Sequence, residues 1–327
     1  MNYFCDSMSS VGLETSACSE FMLAQNFMNS RFQAHMNEHG LSFATSDEYN
    51  LRLNLFAEKD AFINEHNAQN GSYMLGHNKF STWTAEEYTS IMGGRVGNNS
   101  QNVVELPVTN DAEVDWRTKG AVNEIKDQAR CGSCWAFSAV AAFEGSHAIN
   151  TGELVSMSEQ QVVSCDRVSY GCNGGWQYAA FEYFEKTADE LEADYPYTSG
   201  TGVTGRCSPD ASKETYFVDT YANVPANSVD QLKAAIAQQP VSVTIEADTL
   251  PFQLYKSGIL DSTACGTNLD HAVAAVGYGS ENGEEYYIVR NSWGKSWGEE
   301  GYVRIAAVDG KGICGIQMQS LWPTAKN

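Results

Sequence analysis

No stretch of the chain approaches the roughly 18 consecutive apolar residues of a spanning helix, so a helical membrane anchor is not expected. Positive charge is scarce: 20 Lys and Arg face 41 Asp and Glu, for a net charge of -21. Nucleic acid and anionic membrane surfaces would repel such a chain, and neither is expected as a partner. The first residues, "MNYFCDSMSSVGLETSACSE", lack the charged start and apolar core of a secretory leader. The expectation is that a leader is missing or that the gene model begins late. Internal repeats and low-complexity tracts are also lacking.

What is present describes an ordinary globular protein. With 327 residues, 43% of them hydrophobic and 11% aromatic, the chain can bury a substantial core, and its length fits two or three domains. The acidic balance suits an acidic or secretory compartment. Nine cysteines, if paired, require an oxidising one, and they outweigh the missing leader.

The texture changes twice along the chain. Phe27, Arg31, Phe32 and Met36 stand at helical spacing, and "SDEYNLRLNLFAEKDAFINEHN" places Leu51, Leu55, Phe56, Phe62 and Ile63 on one stripe behind Ser46 as N-cap. A small helical unit over 1–92 is expected; standing alone, it would read as a helical domain packing its own core. Residues 93–112, rich in Gly and Asn without apolar periodicity, read as a linker. Beyond it, "CWAFSAVAAFEGSHAIN" predicts a helix from about Cys134, and a shorter one follows Ser158. After about Asp230 the pattern turns to strands, "VSVTIEA", "HAVAAVGYG", "EYYIVRN" and "GYVRIAA". A helical half thus precedes a β half.

The stretch "DQARCGSCWAFS" raises the chemical question. Cys131 and Cys134 are spaced as a redox pair, half a metal site, part of a disulfide framework, or the surroundings of one reactive thiol. A redox motif is expected in a βαβ setting, and none precedes it. A zinc site needs about four ligands, and His271 has no second His or Cys at ligand spacing, so no metal is expected. A nucleophilic thiol needs a helix N-terminus or cationic neighbour, a base, and donors for an oxyanion. Cys134 opens a helix, Gln128 lies just upstream with an amide to donate, and His271 and Asn291 wait in "LDHAVAAVGYG" and "VRNSWGKSWG". In a Cys-His-Asn arrangement the imidazole is the base and the Asn amide orients it.

These segments, with "GCNGG" and "NSWGKSWGEEGY", occur together in an order that resembles papain-like cysteine proteases of the cathepsin L type. The resemblance covers nearly all of 113–327 and extends upstream. Glu48, Arg52, Phe56, Ile63 and Asn67 match the spaced helix motif of the family's inhibitory prosegment, with Lys59 at a usual Asn. Gly76, Asn78 and Phe80 match its next motif, where Thr82 replaces the acid; acid-triggered release through this position is therefore not expected.

The resemblance implies an α+β, papain-like two-domain fold: a helical left domain over 113–220, a β-rich, barrel-like right domain over 221–327, and a cleft between them. It implies an endopeptidase made as a zymogen, with Cys134 as nucleophile, His271 as base, Asn291 as its orienting partner and Gln128 as oxyanion donor. Cleavage of the linker is expected between Val104 and Glu113. Substrate would be bound by Gly174 and Gly175 and by a pocket of Trp176, Gln177, Thr244, Leu269, Asp270, Ala272 and Gln319, favouring an apolar residue second before the scissile bond. Trp293 would cover the His-Asn pair. Disulfides Cys131–Cys172, Cys165–Cys207 and Cys265–Cys314 are implied, leaving Cys134 free and Cys5 and Cys18 unassigned. No cofactor is implied. The expected partners are protein and peptide substrates, the chain's own prosegment as intramolecular inhibitor, and protein inhibitors; the expected state is a monomer, and the expected location lysosomal, vacuolar or secreted. A catalytically silent binding protein on the same scaffold and a thiol oxidoreductase are the competing readings. Asn98-Asn99-Ser100 forms a glycosylation sequon.

Overall fold

The computed structural model describes residues 15–97, 102–213 and 215–326, with the side chains of all of them except 15–19 and 21. Cys5, the Cys18 side chain and the Asn98 sequon lie outside the described residues. Two long helices lead, α1 (Thr15–Glu38) and α2 (Ser46–Asn67). The cap of α2 is Thr45 rather than Ser46, because the Thr45 hydroxyl accepts from Glu48 N. The inward face of α2 also departs from the expected stripe: Phe56, Lys59, Asp60 and Ile63 are buried, whereas Leu51, like Phe27 on α1, is exposed. Ion pairs explain the exchange. Arg31 holds Asp60 at 2.6 Å, Arg52 pairs with Glu48 and Glu87, and Lys59 Nζ donates to the Phe80 and Trp83 carbonyls, both at 2.8 Å. Charged tips satisfied in this way occupy positions that periodicity reserves for apolar residues.

The chain continues through β1 (Tyr73–Leu75), α3 (Ala85–Thr89), β2 (Val114–Asp115), α4 (Cys134–Thr151), α5 (Glu159–Cys165), α6 (Gln177–Lys186), β3 (Val218–Asn223), α7 (Val229–Gln238), β4 (Val241–Ile245), α8 (Leu250–Gln253), β5 (Tyr255–Leu260), β6 (His271–Glu281), β7 (Glu284–Arg290), β8 (Tyr302–Ala306) and β9 (Ser320–Ala325). The strands join in the order β1-β5-β8-β7-β6-β4-β9-β3, with β2 against β6. Asn282 and Gly283, both at positive φ, turn the β6–β7 hairpin. The architecture is α+β.

Two main cores flank the cleft. One joins Val243, Ile245, Val273, Val289 and Ile305 with Trp293 and Trp297, and it also takes in Ile63, Leu75, Phe80, Tyr88 and Ile91. The leading helical unit packs Phe32 and Phe56 on one another with Phe43 and Tyr49, and it also completes the core of the β half, where β1 extends the sheet by pairing with β5. The other core is built from α4, α5 and α6 and includes Val218, Leu321 and Ala325, so the C-terminal strand returns to the helical half. Disulfides Cys131–Cys172, Cys165–Cys207 and Cys265–Cys314 tie the loops.

Candidate active site

Cys134 is the first residue of α4 and is fully buried, the free cysteine among the described residues. Its Sγ accepts from Ala272 N at 3.4 Å and from Gly93 N at 3.3 Å. Those two donors come from opposite sides: Ala272 follows His271 at the start of β6, and Gly93 belongs to the leading segment. His271 Nε2 meets Asn291 Oδ1 at 2.9 Å, which leaves Nδ1 as the ring nitrogen without a hydrogen-bond partner. Trp293 stacks on the imidazole, centroids 4.6 Å apart and planes 28° apart, and shields the His-Asn contact.

Gln128 is held from both ends. Its Oε1 accepts from Ser292 Oγ at 2.7 Å, and its Nε2 donates to the carbonyls of Cys131 and Ile91, both at 2.8 Å. The amide thus joins the Cys131 carbonyl to a carbonyl of the leading segment, Ile91 O. The helix start of α4 favours thiolate, yet burial dominates here. It pushes the thiol up to about 12, against backbone donors from Ala272 and Gly93, and it pulls His271 down to about 4. Burial thus disfavours the charged form of both groups in this state.

The covering segment is a backbone strap. Gly175 N donates to Gly93 O at 2.9 Å, Arg95 N to Gly175 O at 3.0 Å, and Gly94 N to Asp270 O at 2.8 Å. The Gly94–Gly175 bridge is parallel. A Cβ at Gly93 would fall 1.8 Å from the Gly132 carbonyl oxygen, and one at Gly94 would fall 2.7 Å from the His271 carbonyl carbon. Residues 93–97 are therefore not the free linker expected from their composition; two glycines let the backbone lie against the thiol and the His271 backbone. Lys79 adds an ion pair to Asp127 at 2.7 Å, beside Gln128. The doubled glycine at 93–94 was the signal available in the sequence for this contact.

The remaining expected residues differ in their surroundings. Gly174 has φ +96°, and a Cβ on Gly175 would meet Ser169 and Trp135. Trp176 Nε1 donates to Val96 O at 3.3 Å. Gln177 Nε2 donates to Thr244 Oγ1 at 2.8 Å, and both residues are buried. Asp270 lends its side chain to Ala247 N, and burial pushes its carboxyl up to about 7. Leu269 is half-buried and touches the Gly315 turn. Gln319 is buried with neither amide atom partnered, on a cavity bounded by Val96, Val103 and Met318. Among the described residues no group of three or more His, Cys, Asp or Glu is placed to hold a metal ion.

Comparison with known proteins decides the family. Residues 110–324 match the papain family cysteine protease domain, and residues 32–88 match the cathepsin propeptide inhibitor domain. The chain is a member of the papain family. It is 45% identical to a probable cysteine protease RD21B of Arabidopsis thaliana, over 90% of this chain and 66% of that relative, so it spans just under two thirds of the relative's length. Among solved structures, a recombinant stem bromelain precursor is similar at TM-score 0.82 and 37% identity, covering 92% of this chain and 99% of that one. Procathepsin L 3 from the larval midgut of Tenebrio molitor is similar at TM-score 0.83 and 34% identity, covering 90% and 98%. This papain-family chain thus carries a propeptide inhibitor domain ahead of its peptidase domain, and the strap lies where the two meet.

Proposed function

We propose that the chain is the zymogen of a cysteine endopeptidase, with a prosegment over 1–92, an activation linker whose cut falls between Val104 and Glu113, and a mature enzyme over 113–327. The observation that carries this reading is the meeting of Cys134 Sγ, the His271–Asn291 pair and the Gln128 amide under a glycine strap. Once the strap leaves, water and the imidazole reach the thiol, and the burial that disfavours both charged forms is relieved. The thiol proton then passes to His271. Cys134 Sγ attacks the peptide carbonyl carbon, Gln128 Nε2 and the Cys134 N–H receive the oxyanion, and the C–N bond breaks as His271 protonates the leaving amine. Water, deprotonated by His271, hydrolyses the thioester. Asn291 keeps the ring in register, and Trp293 keeps water from that bond. Residues 105, 107, 108 and 110–113 are exposed, as a processing site requires.

Cys134→Ala is the test. The matured variant should lose hydrolysis and covalent labelling by thiol-directed peptide analogues; labelling that persists at Cys131 would overturn the assignment. The finer reading concerns the residue second before the scissile bond. Trp176, Leu269 and Ala272 offer apolar walls, so Leu, Val or Phe there should gain about 1–3 kcal/mol by desolvation. Gln319 narrows the floor without supplying a charge, so aliphatic residues should be preferred to Phe and Arg disfavoured. A fluorogenic series varying that residue measures kcat/KM, with Gln319→Glu alongside; equal rates for Arg and Leu in the wild type would refute it.

A further inference from the structure

The chain between the strap and the peptidase is held at a second place, on the outer edge of the sheet. β3 (Val218–Asn223) ends the strand order beyond β9, and among the described residues no further strand lies beside it. Residues 102–104 take that edge. Asn223 N donates to Asn102 O at 2.9 Å and Val104 N to Asn223 O at 3.0 Å, a parallel bridge centred on Val103. The Asn102 side-chain amide also donates to the Tyr221 carbonyl. Two residues beyond Val104, Leu106 is gripped through its backbone: Gln231 Oε1 accepts from Leu106 N at 2.8 Å, and Gln231 Nε2 donates to Leu106 O at 2.9 Å. The edge of a sheet is a template for an extended backbone, and pairing with alternate residues is how such segments are recognised.

The grip belongs to the peptidase. Gln231 lies in the first turn of α7, and its own backbone N–H is taken by the Ser228 cap, so the side chain starts from a fixed point. It is buried, with both ends of its amide engaged on Leu106. A buried amide is costly unless donor and acceptor are both satisfied. An extended residue presents its N–H and C=O side by side, which matches that need, and Pro107 holds Leu106 to the extended region. The Leu106 side chain packs against the core of the β half. The bonds of the strap to Cys134, Asp270, Gly175 and Trp176 involve none of these atoms.

We propose that the β3 edge and Gln231 form a docking site for an extended peptide segment, occupied by residues 102–106, which keeps the prosegment on the enzyme after the linker has been cut. This rests on the zymogen reading and narrows it. Val104 and Leu106 have their backbone groups engaged, whereas a peptidase cleft takes an extended segment whose backbone is available. The cut therefore falls beyond Pro107, in the largely exposed run that ends at Glu113. Val108 is the residue there that can stand as the aliphatic side chain second before the scissile bond, which places the cut between Thr109 and Asn110. Ala112 in that role would put the cut beside Val114, which is buried in β2. The cut end still carries Leu106, so the nicked prosegment stays in place until Gln231 lets go. Two ordinary hydrogen bonds correspond to a roughly 5–100-fold slower release.

The experiment uses the full chain. Cutting of the linker is followed on denaturing gels with N-terminal sequencing, and activity is read in the same undiluted samples with a fluorogenic peptide. The new N-terminus should be Asn110, and activity should lag behind cutting. Gln231→Ala should shorten the lag about 5–100-fold and leave kcat/KM of the matured enzyme unchanged. Gln231→Glu, which sets an oxygen against Leu106 O, should shorten it too. A cut before Leu106, activity that rises in step with cutting in the wild type, or a lag unmoved by both variants would overturn the proposal. In parallel, hydrogen exchange on the full-length Cys134→Ala chain reads the site without hydrolysis. The Leu106 amide should exchange more slowly than that of Glu105, and Gln231→Ala should remove the difference while Gly94 stays protected. That result without hydrolysis by the wild type would leave the docking site standing and sink the endopeptidase reading. An unprotected Leu106 amide would sink the docking site whatever the enzyme hydrolyses.

Discussion

The leading segment and the peptidase domain solve the problem of a stable interior differently. The peptidase buries apolar strands and helices and ties its loops with three disulfides. The leading segment buries ion pairs and imidazoles, borrows the peptidase's core for Phe80, Tyr88 and Ile91, and shows no disulfide among its described residues. Apolar burial is nearly independent of pH, whereas paired charges and buried imidazoles are not. The peptidase buries charges as well, Lys126 with Glu144 and Glu159 and Arg290 with Glu144, so the device that separates the two is the disulfide, confined to the peptidase among the described residues.

The largest effect that would sharpen this contrast lies on the peptidase. Gln128→Ala removes an oxyanion donor from the mature enzyme and should lower kcat by about 10²–10³ while the thiol still labels. An unchanged kcat would assign Gln128 to holding the strap through Ile91 alone. Next comes the strap. Gly93→Ala forces the backbone away from the Gly132 carbonyl and breaks up the bonds from Gly93 N, Gly94 N and Gly175 N. Three bonds at about 1 kcal/mol each correspond to about 100-fold weaker inhibition by a prosegment peptide in trans. Unaltered inhibition would mean that affinity resides in the helices and the β1–β5 pairing.

The smallest effect is graded with pH. His35 is buried against Phe56, His39 and His77, and burial holds it down to about 3; His39 and His77 are lowered by burial as well. The charged groups around them are Glu38 and Lys79 near His39, and Asp60, Arg31 and Lys59 near His77, whose Nε2 meets Asp60 at 2.9 Å. A depressed imidazole stabilises the folded leading segment above its unfolded value of 6.5, and that stability is lost as pH falls below it, because only the unfolded segment takes up the proton. Inhibition in trans should therefore weaken by up to about tenfold per pH unit below 6.5 for His35. His35→Phe should flatten the profile; a profile equally steep without His35 would place the sensitivity elsewhere.

Legibility followed chemistry rather than periodicity. Cys134, Gln128, His271 and Asn291 stood out because a reactive thiol needs particular partners in a particular order, and the strands after Asp230 stood out because β-branched runs between glycines have few other uses. The inward face of α2 was misread because Lys59 and Asp60 are buried through partners on other segments, Phe80 and Arg31, that no local pattern reveals. β1 escaped notice because three residues gain strand geometry only from the edge of β5. Gly93 and Gly94 looked like slack for the same reason that they fit: a residue without a side chain leaves no pattern, and its role is written in the Gly132 and His271 backbones.

The enclosed state of Cys134 has a bearing on the chain's durability. Oxidants and disulfides attack or are attacked by thiolate, seldom by thiol. Cys134 lies next to the Cys131–Cys172 loop in sequence, and in the folded chain it is fully buried beneath Gly93, where burial disfavours its thiolate. In the folded chain the strap therefore covers the sulfur against oxidants, and its chemistry waits until the cover is removed.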